Sequence, residues 1–299
     1  MTATNPAVTP TPAPGVAPGP APAPTPTFAR APDLAGAHVS QAGVIHSEWI
    51  KLRSLRSTWY SLLATFAIIV GFGALFSWLH TTRQPAGNQV VPIGTRLFDT
   101  TAISLRGVML AQLAVGVLGV LVITGEYTTG MIRSSLAAAP RRHPVLIAKS
   151  LVFAITVLVV SAAGTFVAFF LGQQLQTATH QQSTLATPGA LRAIVACALY
   201  LTLIGLAGIG LGFVIRNTAG AIATLFGIVL VAPILVAQLP DPYNTDLGRF
   251  MPLNAMVQAM ATLDYDSTLF SPWVCVLVVV GWAVLALIAG LVMLLRHDA

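Results

Sequence analysis

The side chains able to hold a metal, cradle a phosphate or activate a nucleophile are few in this chain, and their spacing suits none of those tasks. Its six histidines, His38, His46, His80, His143, His180 and His297, never pair at the spacing of an H-E-x-x-H metalloprotease. Of its two lysines, Lys51 and Lys149, only the second precedes a hydroxyl residue. Ala148 stands before Lys149 with no glycine loop around it, so no phosphate cradle of the Gly-Lys-Ser/Thr kind exists. No G-x-S-x-G elbow is present. Cys197 and Cys275 lie in apolar runs, where a thiol serves as a small hydrophobe, although a bridge between them stays geometrically open. The expectation is a chain that is not an enzyme and binds no cofactor or metal of its own.

The elements that carry these residues belong in lipid. The 299 residues are 56% hydrophobic and 8% charged, with a mean hydropathy of +0.81. A soluble domain carries roughly 25% charged residues, so a polar exterior cannot be built here. The net charge of +6 is no nucleic-acid footprint, because the basic residues sit at the ends of apolar runs rather than on a soluble face.

Ten of the twenty prolines fall at or before Pro32, among Ala and Thr. Residues 1–40 are therefore expected to be a disordered Pro/Ala-rich tail, with a membrane domain over 41–299. Ile45, Trp49 and Leu52 then recur at helical spacing, with Lys51 on another side and Arg53 following. This pattern favours an interfacial helix with its apolar face in the acyl boundary over a simple inward continuation of the first span.

Six apolar stretches follow, at about 59–79, 105–124, 146–171, 191–215, 218–239 and 273–295. Each is close to the ~20 residues that cross a bilayer core. The fourth and fifth are separated only by Arg216-Asn217, which predicts a tight hairpin. Pro233 should kink the fifth. None carries Asp, Glu, Lys or His in its middle. With the N-terminus inside, ten of the fifteen basic residues fall on the inner side and five on the outer. That bias places both termini in the cytoplasm. The fold class expected is all-α: a polytopic membrane protein of six transmembrane helices with an interfacial N-terminal helix.

Two connections stand out. The inner one runs from Gly125 to Arg142, and a short helix from about Thr129 to Ala139 is expected there, stopped by Pro140. Standing at the inner surface, it either docks a partner or anchors in headgroups. The outer one, 240–271, holds Phe250, Met251, Met256 and Val257, which favours a segment dipping back into the leaflet over an ordinary loop. Within the fourth span, Gly208 and Gly212 make a small-residue face for close packing inside the chain or between two chains.

Ser47-Glu48-Trp49-x-Lys51-Leu52-Arg53 and Gly125-Glu126-Tyr127-x-Thr129-Gly130-Met131-Ile132-Arg133 resemble the N-terminal entry and the second-to-third helix loop of bacterial ABC-2 type transporter permeases. The likeness covers roughly 44–299 in architecture, the second motif being the stronger. It implies six-helix permeases of the bacterial plasma membrane that pair as homo- or heterodimers and work with a separate ATP-binding subunit. The ATP is then handled by that partner. The inner loop would be the coupling helix, with Glu126, Tyr127, Thr129, Gly130, Met131, Ile132 and Arg133 as its contact residues. The interfacial helix would touch the ATPase as well, and outer re-entrant helices would precede the last span. The residues themselves favour a hydrophobic or amphipathic substrate, moved along apolar walls. A stand-alone secondary carrier and a non-transporting scaffold or sensor accessory are the rivals. The lack of ionisable residues near the midplane weighs against the first.

Overall fold

The computed structural model describes residues 41–83, 99–131, 143–176, 182–262 and 269–296. The Pro/Ala tail, Ile132, Arg133 and the remainder of the expected coupling helix lie outside them. Among the described residues every regular element is helical. Six helices are long and apolar enough to cross a membrane, so the chain is an all-α polytopic membrane protein.

Helix α1 (Gln41–Ser54) is followed by α2 (Arg56–Arg83), the first spanning helix. The break at Leu55 is pinned by the Trp59 indole, whose Nε1–H donates to the Arg53 carbonyl at 3.1 Å. A one-turn helix, α3 (Thr100–Ser104), starts on Asp99, whose side chain accepts from the Ala102 amide at 3.0 Å. Then come α4 (Val108–Thr128), α5 (His143–Leu175) and α6 (Ala190–Ile215).

The expected hairpin after α6 is there. Arg216 takes a left-handed conformation with φ 54°, and Asn217 caps α7 (Thr218–Phe226) by accepting from the Gly220 amide at 2.9 Å. The fifth span meets its proline through a widened turn rather than a simple break. Gly227–Val231 is π-helical, the Ala232 amide reaches back to the Gly227 carbonyl, and Pro233 lies in the short α8 (Ala232–Val236) that follows. A π turn just before the proline gives room to a ring that would clash with the preceding turn of an α-helix.

The segment expected to dip back is a pair of short helices, α9 (Tyr243–Gly248) and α10 (Pro252–Met260). α10 buries Ala255, Met256, Ala259 and Met260 as it packs against α6 and α11 (Pro272–Arg296). The Trp282 indole of α11 donates to the Phe250 carbonyl at 2.9 Å and holds the pair in place.

Helix α6 is the hub, packed against α4, α5, α10 and α11. Of its most apolar stretch 72% is buried, against 22% for α11, so α11 presents its side chains to lipid or to another chain. The glycines of α6 set its spacing to two neighbours. A Cβ on Gly119 of α4 would stand 2.1 Å from the Gly205 carbonyl oxygen, and one on Gly208 would stand 2.6 Å from that of Gly116. Gly210 faces the other way, where a Cβ would meet the backbone of Ala286 in α11 at 2.3 Å. The small-residue face read at Gly208 and Gly212 is thus used inside the chain, against α4. Cys197 and Cys275 are both buried and free.

At the end of the bundle away from α1, a buried polar knot ties α3 to α5. The Gln173 amide donates to the Thr100 carbonyl and the Ser104 hydroxyl, both at 3.1 Å. The Gln176 amide reaches Ser104 at 3.0 Å and Ser77 of α2 at 3.2 Å. Buried amides need such partners in a low-dielectric interior.

Candidate functional site

The chain contains two glutamates and two lysines, and all four meet at the α1 end of the bundle. Glu48 and Lys51 come from α1, Glu126 from the last turn of α4, and Lys149 from the second turn of α5. Lys149 Nζ lies 2.6 Å from Glu48 Oε2 and 2.8 Å from Glu126 Oε1, joining three helices through one ammonium. Lys51 Nζ sits 2.8 Å from Glu48 Oε1 and 3.8 Å from Glu126 Oε1. Lys149 and Glu48 are 4% and 5% exposed at their side chains, and Glu126 12%, whereas Lys51 is 30% exposed. The formal charges cancel, which is the condition for burying them together.

Burial alone would raise the Glu48 carboxyl, but the Lys149 charge and the hydrogen bonds from Lys149 and Lys51 outweigh it and hold Glu48 below its ordinary value. Burial likewise works against the Lys51 ammonium. Its bond to Glu48 and the Glu48 and Glu126 charges win, and Lys51 stays above its ordinary value. A lowered carboxyl adds stability that is present above the ordinary carboxylate range and lost as pH falls through its folded value. A raised amine adds stability that is lost only as pH rises through its own folded value. The melting temperature in detergent is therefore expected to hold from about pH 6 to 9 and to fall below about pH 4. Glu48→Gln should flatten that acid limb relative to the parent, and an equal acid fall in both would dismiss the assignment.

The other expected site residues distribute around this quartet. Tyr127 is half-buried, with the Arg216 guanidinium 5.4 Å from its ring centre. Arg216 Nη2 donates in turn to the Met293 carbonyl at 3.1 Å, which ties the end of α4 to the hairpin and to α11. Thr129 closes α4 with its hydroxyl donating to the Gly125 carbonyl at 2.9 Å. Gly130, at φ +71°, turns the chain out of the helix, and Met131 is exposed. Ile132 and Arg133 lie outside the described residues.

Along α1 the stripe Ile45, Trp49, Leu52 does not act as one face. Leu52 and Glu48 turn inward against the bundle, Ile45 is half-buried, and Trp49 and Arg53 are exposed. The rotation of α1 follows the ion pair: Glu48 and Leu52, four residues apart, share the face that Lys149 attracts. Sequence reasoning passed over Glu48 and Lys149 as members of a site. The available signal was scarcity, since a chain with so few Lys and Glu places each at the end of a span.

Beside the quartet opens a cavity of about 500 Å³ between α1, α2, α4 and α5. Ser54, Thr58, Ser61 and Thr129 line its polar side, and Leu118, Leu121 and Val152 its apolar side. Glu126 Oε2 is buried here with no hydrogen-bond partner among the described residues. Nothing in this arrangement aligns a nucleophile with a base. It is a joint where helix α1, the end of α4 and the start of α5 are held by charge.

A family model described as ABC-2 family transporter protein matches residues 42–299. No curated protein matches the chain.

Proposed function

The chain belongs to the ABC-2 family of transporter proteins, and from that premise we propose that it is the permease subunit of an ATP-driven exporter, powered by a separate ATP-binding subunit. The single observation behind this assignment of roles is the quartet. A push delivered to the chain after α4 reaches Glu126 first. It passes through Lys149 to α5, and through Lys149 and Glu48 to α1. The partner ATPase docks on this end of the bundle, which faces the cytoplasm, as do both termini. ATP binding in the partner shifts α1, α4 and α5 between two packings. The largely uncovered faces of α2 and α11 support pairing with a second permease subunit and contact with lipid. The apolar exterior and the cavity beside the quartet fit a hydrophobic or amphipathic cargo.

Glu126→Gln tests the reading. The variant keeps the shape of the side chain and removes the charge that faces Lys149 at 2.8 Å. Substrate-stimulated ATPase of the co-purified complex is expected to fall roughly tenfold, the effect of losing one charge-assisted bond of about 1.5 kcal/mol. Co-purification of the ATP-binding subunit should persist. Undiminished stimulation would remove Glu126 from the coupling role. Transport that runs in ATP-free vesicles on an ion gradient would replace the reading with a secondary carrier.

A further inference from the structure

At the far end of the bundle, away from the quartet, a cavity of about 400 Å³ opens between α2, α3, α4 and α10. Its walls are apolar: Phe76, Ala102, Met109, Val257, Met260 and Ala261. Three polar side chains reach it. Asp99 is fully engaged, one carboxylate oxygen accepting from the Ala102 amide at 3.0 Å and the other from the Thr262 amide at 2.6 Å. The other two are not. The Arg106 guanidinium lies 5.9 Å from the centre of the Phe76 ring and meets no carboxylate among the described residues. Gln258 is 94% buried by its 6% exposure, yet its side-chain amide makes no hydrogen bond with any described residue.

A guanidinium set over an aromatic ring and a glutamine amide that opens on the cavity leave polar donors in an apolar wall for a ligand to complete. An arginine fork takes a carboxylate or phosphate in two parallel bonds, and a glutamine amide adds a third donor. The volume lies in the range of small-molecule sites, and the remaining walls suit hydrocarbon. We propose that this cavity binds an amphiphile with an anionic head, a carboxylate or a phosphate, seated on Arg106 and Gln258, with its hydrocarbon body along Phe76, Met109, Val257 and Met260. The site stands independently of the coupling role given to the quartet. Two sources supply that chemistry: an acidic phospholipid of the surrounding bilayer, and a free single-chain acid.

The test uses the full chain in phosphatidylcholine nanodiscs with a photoactivatable long-chain fatty acid, the label being mapped by peptide mass spectrometry. Labelling is expected within 99–109 and 252–262. Arg106→Ala should reduce it roughly tenfold to a hundredfold, the range for losing a hydrogen bond to a charged group, while Arg106→Lys retains part of it. The methyl ester of the same probe should label the unaltered protein at least tenfold less. Competition by phosphatidylglycerol assigns the site to bilayer lipid, and competition only by oleate assigns it to a free acid. Equal labelling by acid and ester, or unchanged labelling in Arg106→Ala, overturns the proposal. The ester comparison needs no variant and so does not depend on how Arg106→Ala folds.

Discussion

Lys149→Met is expected to cost about 3–5 kcal/mol of stability, because it leaves two carboxylates buried around a missing charge. Glu48 and Glu126 both hold this ammonium at hydrogen-bond distance, with side chains only 5% and 12% exposed. Lys51 cannot compensate: it already bonds Glu48 and stands 3.8 Å from Glu126. The loss should appear as a lowered melting temperature in detergent and as release of α1, read by faster hydrogen exchange over 41–54. Adding Glu48→Gln and Glu126→Gln removes the orphaned charges, and this triple variant should regain most of the stability. Its coupling to a partner should not return. The partly exposed Lys51 offers the contrast, since its replacement should cost no more than about 1 kcal/mol. If Lys149→Met melts with the parent, the quartet is not what holds α1.

The second large effect is expected where two backbones touch. At the crossing of α4 and α6, a Cβ on Gly119 would sit 2.1 Å from a carbonyl oxygen rather than from a side chain that could swing aside. Gly119→Ala must therefore separate two helices that also share the Tyr200 to Gln112 hydrogen bond, next to the Thr218 to Thr124 bond of 2.9 Å that joins α7 to α4. A cost of about 1–3 kcal/mol is the usual range for overpacking, and Gly119→Leu should exceed it and abolish the folded monodisperse protein. Gly281 in α11 provides the control, because nothing lies within 4 Å of its would-be Cβ. Gly281→Ala should be neutral or gain up to about 1 kcal/mol from helix propensity. Size-exclusion profiles and melting temperatures of the three variants decide it. A well-behaved Gly119→Leu would mean that α4 and α6 are not packed this closely.

The architecture was readable because lipid imposes a strong pattern. Runs of about 20 apolar residues declare spans, and the Arg216-Asn217 break between two such runs left only a hairpin. The helices before α11 followed from apolar residues that had to avoid water. What hydropathy could not carry was pairing across long stretches of chain. Glu48 and Lys149 are 101 residues apart, and nothing in a count of charges says which ones meet. The facing of α1 was misleading for the same reason: apolar spacing suggested a stripe, while an ion pair set the rotation. The glycines of α6 show a finer limit. Gly208 and Gly212 read as one face, yet Gly210 between them is needed equally, for a different neighbour. The π turn before Pro233 was legible only as a disturbance, not as its form.

Helix α5 has 33 residues and is about 50 Å long, well beyond a hydrocarbon core of about 30 Å. It is fastened near one end through Lys149 and near the other through Gln173 and Gln176, and close to its middle Gly164 rests on Ile69 of α2, where a Cβ would come within 3.0 Å. This makes α5 a lever with a fulcrum. It cannot shorten, and it has no proline past its second residue to let it bend. Any tilt about the Gly164 contact carries Lys149 one way and Gln173 the other. The polar knot then takes Thr100, Ser104 and the rim of the far cavity with it.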